Sequence, residues 1–404
     1  MINQQIKLLM FGWEFPPFNS GGLGTACFGL SRALLKQDVN LTFVLPRQID
    51  VSHDDLKFVF ADSKTVNIRT VDTILKPYLN SSTYRDQRVQ MKNAIYGKSL
   101  MDEVMRYATQ AGEIAKEEHH NVIHAHDWLA FEAGVVAKKV SGMPLVTHVH
   151  ATEFDRSSNG NVNQDIYNIE RRGMEYSDKI IAVSNFTKNI ITREYGIPEG
   201  KVVVVHNAID PEDYTKYYSE DVIRLKRFFG KIVLFAGRLT LQKGPDYFMR
   251  AARKVLEYLP DISFIIAGSG DMEKQVVDMA VHYGISHKIF FTGFLRGAEL
   301  QKIYQAADLY VMPSVSEPFG ITTLESIINN TPALVSRQSG VSEILTHALK
   351  VDFWDVDEMA NKIISVLSYS SLQSTLREHS KGEVGKTGWH ISARKCIDIY
   401  KLLV

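Results

Sequence analysis

The chain has 404 residues, and Lys plus Arg and Asp plus Glu both total 46, so the formal net charge at pH 7 is zero; split near residue 212, each half stays close to neutral. That balance excludes the strongly basic face of a nucleic-acid binder. Scattered pairs such as Lys138-Lys139 and Arg171-Arg172 do not form the sustained polybasic face that docks on an anionic membrane.

The length fits two or three domains at about 150 residues each. The only cysteines, Cys27 and Cys396, are far apart, which supports neither a disulfide scaffold nor a cysteine-based zinc site. No apolar run approaches the ~18 residues of a membrane helix. The expectation is a cytoplasmic protein.

In chain order, Ile6 to Gly12 reads as a first strand. It runs into Trp13-Glu14-Phe15-Pro16-Pro17 without a small-residue cleavage site. An amphipathic segment over 25–37 predicts a helix and 39–46 a second strand, while roughly 50–90 is less patterned and reads as irregular strands and loops. Further strands are predicted at Val122 to His126, Leu145 to His150, Lys179 to Val183 and Val202 to His206. The polar, turn-rich stretch 207–221 with Pro211 reads as a linker. The pattern then restarts with strands over 231–238, 262–268, 288–293, 308–313 and 332–336. Strands alternating with amphipathic segments predict an α/β fold of two doubly wound parallel sheets. Ligands of such sheets lie outside the carboxyl ends of the strands, which points to a cleft between the two.

Four clusters sit at such ends. The glycines of 20-SGGLGTACFGLSRAL-34 follow the first strand and open a helix, whose unsatisfied amides suit a phosphate. Gly22-x-Gly24-x-x-Cys27 imitates part of a dinucleotide fingerprint, but its third glycine is missing. The second strand also ends in Leu45-Pro46-Arg47, where an NAD site would carry an acid for the ribose. An anion contact, a structural turn and, last, NAD all stay open on these residues alone.

The histidines come as 124-HAHDW-128 and 148-HVH-150. On a strand His124 and His126 share one face and Asp127 takes the other, so HAHD alone needs a bend to make a three-ligand metal site. The alternative is core histidines hydrogen-bonded to backbone. His150, followed by Thr152, Glu153 and Asp155, is the one best placed to face the cleft.

Arg238 and Lys243 follow the first strand of the second series, where a planar fork and a point charge can neutralise a diphosphate; isolated, they would be solvated surface. In 314-SVSEPFGITTLESIINN-330, Pro318 suits the start of a helix and Gly320 permits close approach of a ligand to the backbone, with free amides around Phe319, Gly320, Ile321 and Thr322. Glu317 and Glu325 are either ligand contacts or, more plainly, a dipole-favoured charge and a solvated helix face.

Taken in order, GGLGTA, HAHDW, VTHVHATEFD, IIAVSNFTKNII, VVVHNAID, AGRLTLQKG, SEPFGITTLE and SGVSEIL resemble the motifs of retaining glycosyltransferases of the GT-B fold, of the family 4 type, with a leaning toward glycogen and starch synthases. The similarity spans nearly the whole chain.

The resemblance implies an acceptor-side Rossmann-like domain over 1–212, joined by a returning helix within 386–404, and a donor domain over 228–385, with Asn207 at the junction. It implies that Glu317 contacts donor-sugar hydroxyls, Glu325 the nucleotide ribose, and Arg238 and Lys243 the diphosphate. Gly22 and Gly24 approach that diphosphate from the other domain, and His150 lies near the reacting end of the sugar. The amides from Gly320 to Thr323 serve phosphate and sugar, and Phe294 and Leu295 the base. Two positions depart from the bacterial glycogen synthases: Asn19-Ser20 precede Gly21-Gly22 where those enzymes carry a lysine, and Asp127-Trp128-Leu129 stands for their DWH.

The implied activity is transfer of a hexose, glucose for preference, from a nucleotide-sugar to a glycan or other hydroxyl acceptor, without metal or other cofactor. Preorganised cations and amides in a water-poor cleft stabilise the leaving diphosphate. The donor base (UDP, ADP or GDP), the acceptor and the oligomeric state stay open. Acceptor recognition is expected in the variable loops over roughly 50–100. Rival readings are a sugar-nucleotide epimerase, an NAD oxidoreductase, a pyridoxal-phosphate-dependent glucan phosphorylase and a non-catalytic sugar-binding protein.

Overall fold

The computed structural model describes residues 5–16, 21–46, 57–60, 100–157, 160–214 and 219–404. Pro17, Asn19-Ser20, Arg47 and most of the stretch expected to recognise the acceptor lie outside the described residues. The chain divides into two compact units. One comprises Met1–Glu153, Val162–Asn207 and Trp389–Val404; the other comprises Phe154–Asn161 and Ala208–Gly388.

The first unit is built on a seven-stranded sheet of β1 (Lys7–Phe11), β2 (Asn40–Leu45), β3 (Lys57–Phe60), β4 (Val122–His126), β5 (Leu145–Val149), β6 (Lys179–Ala182) and β7 (Val202–Val204). The strands are ordered β3-β2-β1-β4-β5-β6-β7 and every neighbouring pair is parallel. β4 and β5 are buried at every position, which is why they read as near-continuous apolar runs. The predicted strands are present; β4 has the predicted ends and the others stop one or two residues early, so His150 stands just past β5 and His206 past β7. The first helix begins at Gly22, three residues before the amphipathic pattern suggested.

The helix Trp389–Lys401 closes this unit. Its Trp389 indole lies against the Cα of Gly29, where an added Cβ would stand 2.2 Å from Nε1, so only glycine lets the two helices approach this closely. Gln37 Nε2 donates to the His390 carbonyl at 3.0 Å, and Ser392 Oγ to the His206 carbonyl at 2.7 Å.

The second unit holds a six-stranded parallel sheet: β8 (Lys231–Ala236), β9 (Ile262–Ala267), β10 (Ile289–Gly293), β11 (Leu309–Met312), β12 (Ala333–Ser336) and β13 (Leu349–Val351), ordered β10-β9-β8-β11-β12-β13. β13 was not anticipated; it has three residues, two of them only half buried. Phe235, Phe248, Phe264, Leu309 and Val311 fill the core between this sheet and its covering helices. In each sheet the strand order reverses beside the first strand, at β1/β4 and at β8/β11. These are the topological switch points where such sheets bind ligands. Among the described residues no helix is long and apolar enough to cross a membrane.

Candidate active site

In the second unit, the loop after β8 and the loop after β11 meet at the switch point. Gly244 has φ +63°, and an added Cβ would lie 2.2 Å from the Pro313 carbonyl oxygen. Glycine therefore allows the short turn Leu241–Lys243 to touch the end of β11. The contact is locked by the Val315 amide donating to the Gln242 carbonyl at 2.9 Å.

This approach places Lys243 Nζ 2.5 Å from Glu317 Oε2, and Ser314 Oγ donates to the same oxygen at 3.3 Å. The Glu317 backbone is held on both sides, its amide donating to Gln338 O and its carbonyl accepting from the Gly340 amide, each at 2.9 Å. Glu317 is 6% exposed, so the carboxylate is a fixed feature. Arg238 reaches Gln242 Oε1 with Nη2 at 3.4 Å.

The helix Ile321–Ile328 starts after Gly320, whose φ of +106° makes it the capping residue. Pro318 therefore precedes the helix by three positions and does not open it, a correction to the sequence expectation. Met312 and Val341 side-chain atoms would lie 3.1 Å from a Cβ at Gly320. Tyr310 Oη donates to Thr322 Oγ1 at 2.9 Å, tying the first turn to β11. The first-turn amides of this helix have no intrahelical partners and point from its start. Thr323 is the exception, because its amide bonds the Gly320 carbonyl at 3.0 Å.

Glu325, one turn further on, is not on a solvated face. Tyr214 Oη and Tyr304 Oη donate to its two oxygens at 3.3 and 3.4 Å. Burial raises its carboxyl above the usual carboxylate range, and the two phenols partly offset the rise. Tyr214 lies in the stretch read as linker, so sequence reasoning missed it, along with Tyr304 and Ser314. Phe294 and Leu295 follow β10, on the same carboxyl edge of the sheet, with Phe294 exposed and the Arg296 guanidinium 4.9 Å from its ring centre.

In the first unit the helix Gly22–Leu35 starts behind Gly21 with no side-chain cap and no acid in its first turn, leaving Gly22 exposed at an uncapped start. That is the electrostatic setting in which helix amides accept an anion. The histidines form one group. β4 and β5 pair His126 with His148, and the rings of His124, His126, His148 and His150 stack with centroid separations of 4.2–5.3 Å. Asp127 has φ +57°, an uncommon conformation for a non-glycine residue. Its carboxylate accepts from the His150 and Ala151 amides at 2.6 and 3.3 Å. His150 Nε2 lies 2.9 Å from His126 Nδ1, and burial lowers the His150 imidazole to about 3, so it is neutral near pH 7. Thr152, Glu153 and Asp155, the polar residues that follow His150, are all buried. Asp155 accepts from Ser316 Oγ at 2.5 Å within the second unit.

Comparison with known proteins gives this arrangement a family. Residues 20–213 match the family described as Glycosyltransferase Family 4, and residues 225–383 the one described as Glycosyl transferases group 1. An uncharacterized glycosyltransferase of Methanocaldococcus jannaschii is 31% identical over 98% of this chain and 98% of its own. A glycogen synthase of Mycobacterium tuberculosis is 27% identical over 84% of this chain and 80% of its own. Among solved structures, Anabaena HepE, crystallised with UDP and glucose, superposes with a TM-score of 0.72 at 16% identity, covering 99% of this chain and 100% of that one. With two Rossmann-like sheets and this span of similarity, the chain has the GT-B fold and belongs to the glycosyltransferases, family 4 in its amino-terminal half and group 1 in its carboxy-terminal half.

Proposed function

We propose that this glycosyltransferase is a retaining hexosyltransferase that takes glucose from UDP- or ADP-glucose and adds it to a glycan, as in elongation of an α-glucan. The observation that carries the reading is the Lys243–Glu317 contact beside Arg238 at the β8/β11 switch point. It sets a cationic phosphate contact and a fixed carboxylate side by side, as a sugar diphosphate requires. The glycogen synthase relative and the UDP and glucose bound to a structural neighbour favour this donor class and acceptor.

In this mechanism Arg238, Lys243 and the amides around Gly320 to Thr323 take up the charge that develops on the leaving diphosphate, so the transfer step needs no metal. Gly22 and Gly24 add the amides of an uncapped helix start. Glu317 holds sugar hydroxyls, Glu325 the ribose, and Phe294 and Leu295 flank the base. The acceptor hydroxyl attacks on the face the diphosphate leaves, and the departing phosphate takes its proton, which retains the anomeric configuration. A neutral His150 contributes a hydrogen bond near the reacting carbon rather than a charge.

A donor-by-acceptor screen tests the reading. UDP-, ADP- and GDP-glucose are paired with glycogen, maltooligosaccharides and simple sugars in the presence of a chelator, and product anomers are read by NMR. Elongation with α-configured product is expected. Turnover only with a lipid or small-molecule acceptor would overturn the α-glucan assignment and leave a family 4 hexosyltransferase of different acceptor. An inverted product would overturn the retaining mechanism.

A further inference from the structure

We infer that the first unit holds a buried transition-metal site made by His124, His126 and His148. These residues come from two neighbouring strands, His124 and His126 from β4 and His148 from β5, and all three are at most 1% exposed. One ligand nitrogen from each lies within 4.8 Å of the others. His124 Nε2, His126 Nε2 and both ring nitrogens of His148 are buried with no hydrogen-bond partner. Leaving so many polar atoms unmatched at one spot in a sheet is costly where valine or leucine would serve, so the pattern calls for a ligand.

The remaining nitrogens are already fixed in the sense a metal needs. His124 Nδ1 lies 2.6 Å from Tyr400 Oη, and His126 Nδ1 lies 2.9 Å from His150 Nε2. With Nδ1–H donating in each case, both Nε2 lone pairs are free, which is the outer-shell arrangement that orients metal-binding histidines. The rings are stacked or tilted over one another, so closing to metal–nitrogen bonds of about 2.0–2.1 Å requires them to turn until their nitrogens converge. Three imidazoles suit zinc, copper, nickel or cobalt and not the oxygen-loving magnesium or calcium. Cys27 lies close enough to form a second grouping with His126 and His150. The site uses the first unit alone and is independent of the donor assignment. Its effect on the reaction is to hold β4 and β5 rigid behind His150.

The test uses the full chain, purified and passed through chelator and gel filtration. Metal content is measured, and the metal-free protein is titrated with Co2+ while visible absorption and Tm are followed. One equivalent per chain, tetrahedral cobalt bands and a raised Tm are expected. Both His148→Gln and His124→Gln should lose the equivalent and the bands, while Glu317→Gln, altered in the donor site, keeps them. A wild-type protein that takes up no Co2+ or Zn2+ overturns the inference, and so does an equivalent that survives in both histidine variants, which marks surface binding. The wild-type titration decides the matter even if a variant fails to fold. Sugar transfer by the wild type, assayed in parallel, reports on the donor site separately.

Discussion

Lys243 and Glu317, 74 positions apart in sequence, meet with Nζ 2.5 Å from Oε2, and both side chains are largely buried. The contact pairs the lysine with a carboxylate, so in the proposed mechanism the diphosphate shares or displaces the group that holds the sugar.

Glu317→Gln separates the two roles. Transfer should fall about a hundredfold, the loss of one strong transition-state contact and about 2.7 kcal/mol of barrier. Affinity for UDP alone should hold or rise, because Lys243 is released to the phosphates. Steady-state kinetics and calorimetry with UDP read both quantities. Normal turnover in the variant would remove Glu317 from the mechanism.

Gly244→Ala strikes the geometry beneath that pair. A side chain at φ +63° costs roughly 1–2 kcal/mol, and its Cβ would meet the Pro313 carbonyl at 2.2 Å. Tm should drop and donor KM rise together as Lys243 moves away from β11. An unchanged Tm would mean that the turn does not depend on this approach.

Gly29→Ala places a Cβ 2.2 Å from the Trp389 indole and should loosen the carboxy-terminal helix. Deletion of residues 389–404 should go further and prevent stable folding. It strips Trp389, Cys396, Ile397, Ile399 and Tyr400 from the core, and loss of one buried Trp alone costs about 3–5 kcal/mol. Thermal denaturation followed by circular dichroism checks both. A fully active truncated chain would refute the structural role given to this helix.

Glu325 makes stability depend on pH. Its carboxyl is raised in the folded protein, so the folded state binds its proton more tightly than the unfolded state does. The contribution is fully present below the unfolded value, about 4.3, and is lost as pH rises through the folded value. Glu325→Gln should therefore be more stable than the parent at pH 7 to 8, with the gap closing below about pH 4, while donor affinity falls. Tm measured across that range decides it, and a gap that grows on acidification has the wrong sign.

Much of this was legible because buried parallel strands declare themselves as apolar runs. β8 and β9 were found nearly to the residue, and Arg238, Lys243, Glu317 and Gly320 were placed by their position after strands. What was hidden depends on long-range register. Tyr214 sits in a polar, turn-rich stretch whose pattern carries no sign that its hydroxyl would reach Glu325. β13 is three residues supported by its neighbour β12 rather than by its own pattern. The histidines were visible as two pairs, each on one strand face. Only the pairing of His126 with His148 across β4 and β5 merges them into one stack.

The first unit is completed by residues that follow the whole of the second in sequence. On the ribosome, residues 208–388 emerge before the helix carrying Trp389 and Tyr400 is made. The second unit is therefore free to fold first, and the earlier-synthesised sheet waits with Gly29 and His124 uncovered. Domains are generally finished from the amino terminus onward during synthesis; here the first unit cannot be completed until the second has been synthesised. A nascent chain stalled before residue 389 should expose the first sheet to chaperones while its second sheet is already protected.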